Sequence, residues 1–244
     1  MTAPGWQLRR LPVCASTEIE LARWLARRER EGRPLPESGT CLAVVSRRQR
    51  FGMGQQGRIW HSPVGGLWLS AAFPWPTAVD ASTPLALAAT LGLALQLERL
   101  GLRPQIKWPN DLLLDGRKLA GVLPRLRWRG GTMRWAQVGV GINGVNQVPD
   151  GAVSLAKSLA GHRWHPMATP RRMEPLVLSG VAWAVAGATQ VDKVLASVDQ
   201  RLWQPIGGWP HAGKLWQVRG ITAAGGLRLE RPGEWLTLTS RRSV

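Results

Sequence analysis

Apolar residues recur at helical spacing after Ser16-Thr17-Glu18: Ile19, Leu21, Ala22, Trp24, Leu25 and Ala26 follow, and Gly32 closes the run. Ser16 is a residue type that caps helix N-termini. Cys41–Val45 is a short apolar run that predicts a strand, and Gly66–Phe73 predicts another. Between them, Arg47–Pro63 has no period and is rich in Gly, Gln and Arg, which predicts a long loop. Thr83–Leu100 is apolar and alanine-rich, with Pro84 in its first turn and Gly101 beyond its end, and predicts a helix. Gln105–Trp108 leads to Pro109-Asn110-Asp111. Asp115-Gly116 then separates Leu112–Leu114 from Lys118–Leu126, and Gly130-Gly131 separates Lys118–Trp128 from Met133–Ile142. Both are hairpin signals, so an antiparallel meander is expected. Arg171–Ala188 and Val191–Trp203 predict two more helices, residues 205–210 a linker, and Lys214–Ser240 further strands with turns at Gly225-Gly226 and Pro232-Gly233. Helices interspersed irregularly among strands imply an α+β fold: a mixed, largely antiparallel sheet with helices packed on it, plus a small C-terminal β-barrel or sandwich. The division expected is residues 1–204 and 205–244.

Composition narrows the class. Of the 244 residues, 44% are hydrophobic and 19% charged, which suits a globular chain with a substantial core. No apolar run reaches the roughly 18–20 residues that cross a bilayer, and Met1–Arg10 does not look like a secretory signal. The two cysteines, Cys14 and Cys41, are too few for a disulfide scaffold, so a cytoplasmic location is expected. Fourteen tryptophans with no tyrosine form no repeat and read as core or half-buried residues. The net charge of +17 is spread along the chain in short arginine pairs such as Arg27-Arg28, Arg47-Arg48, Arg171-Arg172 and Arg241-Arg242. Without a basic recognition helix or zinc-finger spacing, a generally basic surface with one anion-binding cleft fits better than specific nucleic-acid binding.

Three segments carry candidate chemistry. In Gln49–Arg58, three glycines fall within six positions (Gly52, Gly54, Gly57), which lets backbone N–H groups approach an anion. The spacing is neither a Walker loop nor a dinucleotide fingerprint, and a soluble surface loop explains it equally well. In Lys107-Trp108-Pro109-Asn110-Asp111, a cation, an amide and a carboxylate crowd a strand end, and Lys118 stands on the return strand beside Gly121. Cationic nitrogens so placed can hold a carboxylate and a phosphate together and stabilise charge growing on phosphorus. Gly139-Val140-Gly141-Ile142-Asn143 alternates glycine in an apolar strand, which points to a ligand or to tight strand packing. His61, His162, His165 and His211 make no metal-ligand set.

Taken in order and spacing, Ser16-Thr17, the Gly52–Arg58 loop with Trp60 and Ser62-Pro63, Lys107–Asp111, Lys118–Gly121 and Gly139–Asn143 resemble the biotin protein ligases. Val218–Glu230 and Leu236–Ser240 resemble the last strands of that family's small SH3-like C-terminal barrel. The resemblance implies a two-step reaction. Biotin and ATP give biotinyl-5′-AMP, and a lysine of a biotin carboxyl carrier domain, typically that of acetyl-CoA carboxylase, then takes the biotinyl group. It further implies biotin contacts from Ser16, Thr17, Glu18, Gln49, Met53, Gly54, Gln55, Lys118 and Gly121. ATP contacts would come from Arg58, Lys107, Asn110 and Asn143, and catalysis from Lys118, Arg58 and Asp111. Mg2+ would accompany ATP near Asp111, with no metal site built from protein alone.

The sequence departs from the family pattern in three places. Met53 and Gln55 stand where the loop usually carries arginines, which implies weaker retention of the adenylate. Glu18 stands where asparagine is common, and an ionised carboxylate cannot donate a hydrogen bond to the ureido carbonyl. Only about a dozen residues precede the matching region, so a DNA-binding repressor role is not expected. A homodimer joined at a sheet edge is left open, and no membrane partner is expected. A lipoate ligase or octanoyl transferase, and a non-enzymatic nucleic-acid-binding module, are the competing readings.

Overall fold

The computed structural model describes residues 5–33, 35, 40–75, 82–129 and 132–239. One seven-stranded sheet organises the larger part of the chain, in the order β1-β2-β3-β7-β6-β5-β4. Its strands are β1 (Gly5–Leu11), β2 (Thr40–Ser46), β3 (Leu67–Phe73), β4 (Gln105–Lys107), β5 (Asp111–Leu114), β6 (Arg117–Arg129) and β7 (Thr132–Ile142). All neighbouring pairs are antiparallel except β1 with β2. The expected mixed, largely antiparallel sheet is therefore present.

β1 is a strand the hydropathy pattern does not reveal. Its residues are mostly exposed, and it borrows its place from β2, along which it runs in parallel. The two faces of β2 separate two cores. Leu42 and Val44 meet Leu21, Trp24 and Leu25 of α1 (Thr17–Arg30), while Ala43 and Val45 join the main core on the other face.

The main core is built on α2 (Ser82–Glu98), which is apolar around its circumference because it is covered on all sides. It packs on the sheet and against α4 (Pro170–Ala186) and α5 (Val191–Asp199). α2 and α4 touch at Gly92 and Gly180. A Cβ at Gly92 would lie 2.1 Å from the Gly180 carbonyl oxygen, so the helices approach at a distance no larger residue permits. A short helix, α3 (Leu155–Ser158), precedes α4.

The Asp115-Gly116 turn is formed with both residues at positive φ (49° and 72°), the conformation that an Asp-Gly pair adopts in a tight hairpin. The Gly130-Gly131 turn and the Arg241-Arg242 pair lie outside the described residues. α5 ends at Asp199, four residues short of the expected end at Trp203. The Ile106 N–H donates to the Arg201 carbonyl (2.7 Å), and the Trp203 N–H donates to the Ile106 carbonyl (2.9 Å). The edge strand β4 thus takes these residues as partners for its open backbone groups.

The expected linker over residues 205–210 runs into β8 (Trp209–His211). With β9 (Lys214–Ile221), β10 (Leu227–Arg231) and β11 (Glu234–Leu238) it forms an open four-stranded sheet, β11-β10-β9-β8. Trp216, Val218, Leu227, Leu229 and Leu238 of this sheet join the main core, so the two sheets share one apolar interior.

Candidate active site

A cavity of about 250 Å³ opens on the α1 face of the sheet, over β6 and β7. Three local devices bring its walls together.

The first is the glycine-rich loop. Its base is tied to the segment before α1: the Cys14 N–H donates to the Arg48 carbonyl, Arg50 N–H to Cys14, and Phe51 N–H to Ala15. Ser16, Thr17 and Glu18 are thereby held beside Gln49. The loop then folds back on itself through Gly54 N–H to Arg58 (2.8 Å) and Trp60 N–H to Gly52 (2.9 Å). Gly52 is required there, since a Cβ would lie 2.3 Å from the Trp60 carbonyl oxygen.

The second is a bulge. Lys118 and Gly121 are three residues apart, so regular alternation would place them on opposite faces. On β6, Leu113 pairs with Lys118 while Leu112 pairs with Ala120, which leaves Leu119 as an extra residue. The bulge reverses the alternation. It brings Lys118 Nζ to 2.7 Å from Asp111 Oδ1, and Asp111 is the register partner of Gly121.

The third is the glycine pair Gly121 and Gly141, opposite each other on β6 and β7. Trp60 fills the space that side chains there would take. A Cβ at Gly141 would lie 2.5 Å from Trp60 Nε1, and one at Gly121 3.1 Å from Trp60 Cζ3. Lys118 Nζ sits 4.8 Å from the Trp60 ring centroid, within cation–π range.

The cavity has two chemically different ends. At one, Lys118 and Asp111 meet Trp60 and Asn110, and the exposed Arg58 is also part of the cavity lining. Asn110 Nδ2 donates to the Val122 carbonyl (2.5 Å). Its Oδ1, and the Trp60 indole N–H, are buried with no partner among the described residues. Unmet polar atoms in a cavity wall are unusual in the absence of a ligand or water to satisfy them.

At the other end, Thr17 donates to Gln49 Oε1 through both its amide (2.8 Å) and its hydroxyl (3.0 Å), and the hydroxyl lies 2.8 Å from Ser70 Oγ. Gln49 Nε2 donates onward to Ser62 Oγ (2.8 Å). Glu18 is buried here. Arg125 Nε (2.8 Å) and Gln137 Nε2 (3.1 Å) both donate to its Oε1, and Arg125 Nη2 (3.3 Å) donates to its Oε2.

Of the fourteen residues to which the resemblance assigns a role, twelve line this cavity: Ser16, Thr17, Glu18, Gln49, Met53, Gly54, Gln55, Arg58, Asn110, Asp111, Lys118 and Gly121. Two do not. Lys107 lies with its ammonium 4.8 Å from the Trp203 ring centroid. Asn143 donates to the Val153 carbonyl (3.3 Å) and accepts from Asn146 Nδ2 (3.2 Å), which pins the loop after β7. Ser70, Arg125 and Gln137 were not anticipated. A polar residue inside an otherwise buried apolar strand, as Ser70 is in Leu67–Phe73, is the signal that could have marked one of them.

Residues 21–143, half of the chain, match the biotin/lipoate A/B protein ligase family. The chain belongs to that family. Within it, the Bacillus subtilis bifunctional ligase/repressor BirA is 34% identical over 119 residues, 48% of this chain and 36% of that protein. A Paracoccus denitrificans biotin–[acetyl-CoA-carboxylase] ligase is 34% identical over 116 residues, 45% of this chain and 47% of that protein. The chain thus spans less than half the length of the curated relatives it matches. The biotin protein ligase from Aquifex aeolicus in complex with biotin and ATP superposes with a TM-score of 0.74 at 21% identity, over 96% of both chains. This family member therefore shares that ligase's fold over 96% of its length. The family match ends at Asn143, just after the last strand that lines the cavity.

Proposed function

We propose that this family member is a biotin protein ligase, which joins biotin to ATP as biotinyl-5′-AMP and passes the biotinyl group to a lysine of a carboxylase carrier domain. The observation that carries the reading is Lys118, held by Asp111 at one end of a cavity whose far end is polar and closed by Thr17, Gln49 and Glu18. A ligand with a carboxylate at one end and a hydrogen-bonding ring at the other matches that polarity.

In the first step a biotin carboxylate oxygen attacks the α-phosphorus and pyrophosphate leaves. Two anions must meet, and Lys118 with Arg58 supplies the positive charge between them. Of the residues that the resemblance assigns to ATP, Arg58 and Asn110 line the cavity beside Lys118, while Lys107 and Asn143 lie outside it. In the second step the acceptor amine attacks the acyl carbon and AMP leaves. Asp111 accepts a hydrogen bond from that amine and aims its lone pair.

Among the described residues no group of three or more His, Cys, Asp or Glu is placed to hold a metal. Magnesium would enter on the triphosphate, with Asp111 the nearest carboxylate at that end. Residues 1–204 form the catalytic domain in this reading. Residues 205–244 form the small β domain, its four-stranded sheet corresponding to the family's SH3-like barrel. The relevant partner is a biotin carboxyl carrier protein or domain, and the setting is the cytoplasm. No described helix is long and apolar enough to cross a membrane.

Calorimetric titration with biotin and with lipoate, followed by pyrophosphate release with ATP, tests the reading. Biotin binds and pyrophosphate appears only with biotin and ATP together. Tighter binding of lipoate moves the chain to the other branch of its family. Salt-sensitive nucleic-acid binding without pyrophosphate release makes it a binding module.

A further inference from the structure

The far end of the cavity has a direction to its hydrogen bonds. The Thr17 hydroxyl has one proton, and it goes to Gln49 Oε1. The Thr17 amide donates to the same oxygen, which fixes the orientation of the Gln49 side chain. The Ser70 hydroxyl, 2.8 Å from Thr17, must therefore donate its own proton to Thr17. That leaves Ser70 facing the cavity with lone pairs only.

Glu18 is in the same position for a different reason. A carboxylate has about four acceptor sites. Arg125 and Gln137 fill two on Oε1, and Arg125 fills one on Oε2. One site on Oε2 remains, and Glu18 lines the cavity. Behind it, Gln137 Oε1 is buried with no partner among the described residues. Arg125 and Gln137 are register partners on β6 and β7, so the clamp on Glu18 is part of the sheet.

From this surplus of acceptors we infer that Glu18 is a specificity-determining residue. It accepts an N–H of the ligand's ring through Oε2, with Arg125 and Gln137 as positioning residues. The ligand class selected is a carboxylic acid whose head group carries N–H donors, as a cyclic urea does. A dithiolane or a plain acyl chain offers no donor, and it would leave a carboxylate oxygen desolvated and unmet. Sites built to hydrogen-bond a substrate group reject analogues that lack it more strongly than apolar pockets reject extra bulk. The departure from asparagine at this position thus changes what the residue does: it cannot donate to a carbonyl, and it accepts from the ring instead. The inference rests on the biotin ligase reading and names the residue that separates the two branches of the family in this chain.

The test compares the parent chain with Glu18→Gln and with the double variant Glu18→Leu, Arg125→Leu, which removes the clamp and leaves no stranded charge. Calorimetry with biotin and with lipoate gives the affinities, and biotin-dependent pyrophosphate release gives KM and kcat. A charge-assisted hydrogen bond predicts a biotin Kd raised about tenfold or more in both variants, with lipoate unchanged or tighter. KM for biotin rises in parallel, and kcat at saturating biotin stays within about twofold, the pattern of a lost ground-state contact. If Glu18 only neutralises Arg125, the double variant recovers the parent biotin affinity, and the inference fails. Equal weakening of biotin and lipoate also overturns it. If the parent chain itself binds no biotin, the ligase reading falls and this inference with it. Thermal melts identify a variant that does not fold, and the double variant then decides.

Discussion

Trp60 presses its indole against the backbone of Gly141, where a Cβ would stand 2.5 Å from Nε1. The same ring meets Gly121 less tightly, at 3.1 Å from the nearest ring carbon. Both glycines lie in extended strands, so sterics alone separates them. Gly141→Ala should displace Trp60, and with it the partner of the Lys118 ammonium, at a cost of about 1–3 kcal/mol. Gly121→Ala should be milder in both stability and activity. Chemical denaturation and pyrophosphate release on the two variants check this order.

Trp108 is buried, and its Nε1 donates to the Gly225 carbonyl in the β9–β10 turn (2.8 Å). The segment bearing Asn110 and Asp111 is thereby tied to the C-terminal sheet. Trp108→Phe removes the donor and leaves a buried carbonyl unmet, a loss of about 1–3 kcal/mol. Hydrogen exchange should rise first in the turn around Gly225, before the seven-stranded sheet is affected. Uniform exchange across both sheets would argue against a local link.

Much of this fold could be read in the chain because its signals are local. The Asp115-Gly116 turn, the apolar circumference of α2 and the Ser16 cap each depend on neighbours in sequence. β1 could not be read, since its residues bury little and its partner is β2, beyond an intervening helix. The end of α5 is not set by the local pattern, because long-range pairing with Ile106 decides it. At the site, glycine and lysine motifs led to the cavity. What Glu18 does depends on Arg125 and Gln137, more than 100 residues away, and no spacing rule reports that. Asn143 and Lys107 sit in motif segments, yet their side chains serve the loop after β7 and Trp203.

Gln55 lines the cavity at the tip of the folded loop, where it brings no charge. An adenylate is an anion, so a neutral side chain at this position adds nothing to the charge that Arg58 of the same loop supplies. Gln55→Arg should slow release of free biotinyl-5′-AMP in the absence of acceptor by about tenfold, the scale of one charge-assisted contact. Quench-flow measurement of released adenylate checks it, and an unchanged rate would show that Arg58 and Lys118 already supply the retention.

Burial pushes the Cys41 thiol up to about 11 from an ordinary value of 9.0. Cys14 is raised in the same direction, also by burial. The unfolded chain therefore releases these protons at lower pH than the folded one. Their contribution to stability is complete below about pH 9 and is lost as pH climbs toward the folded value. Stability should decline across that window, and Cys41→Ala should flatten the decline. In the folded chain at pH 8 thiol reagents should label both cysteines slowly, because little thiolate is present and access is poor.

Biotin-dependent exchange of pyrophosphate into ATP, measured on the parent chain and on Lys118→Ala, reaches the central claim most directly. The account predicts exchange that requires biotin, and a fall of about a hundredfold or more when Lys118 is removed, with biotin still bound. Exchange that proceeds without biotin, or that survives the loss of Lys118 undiminished, would contradict it.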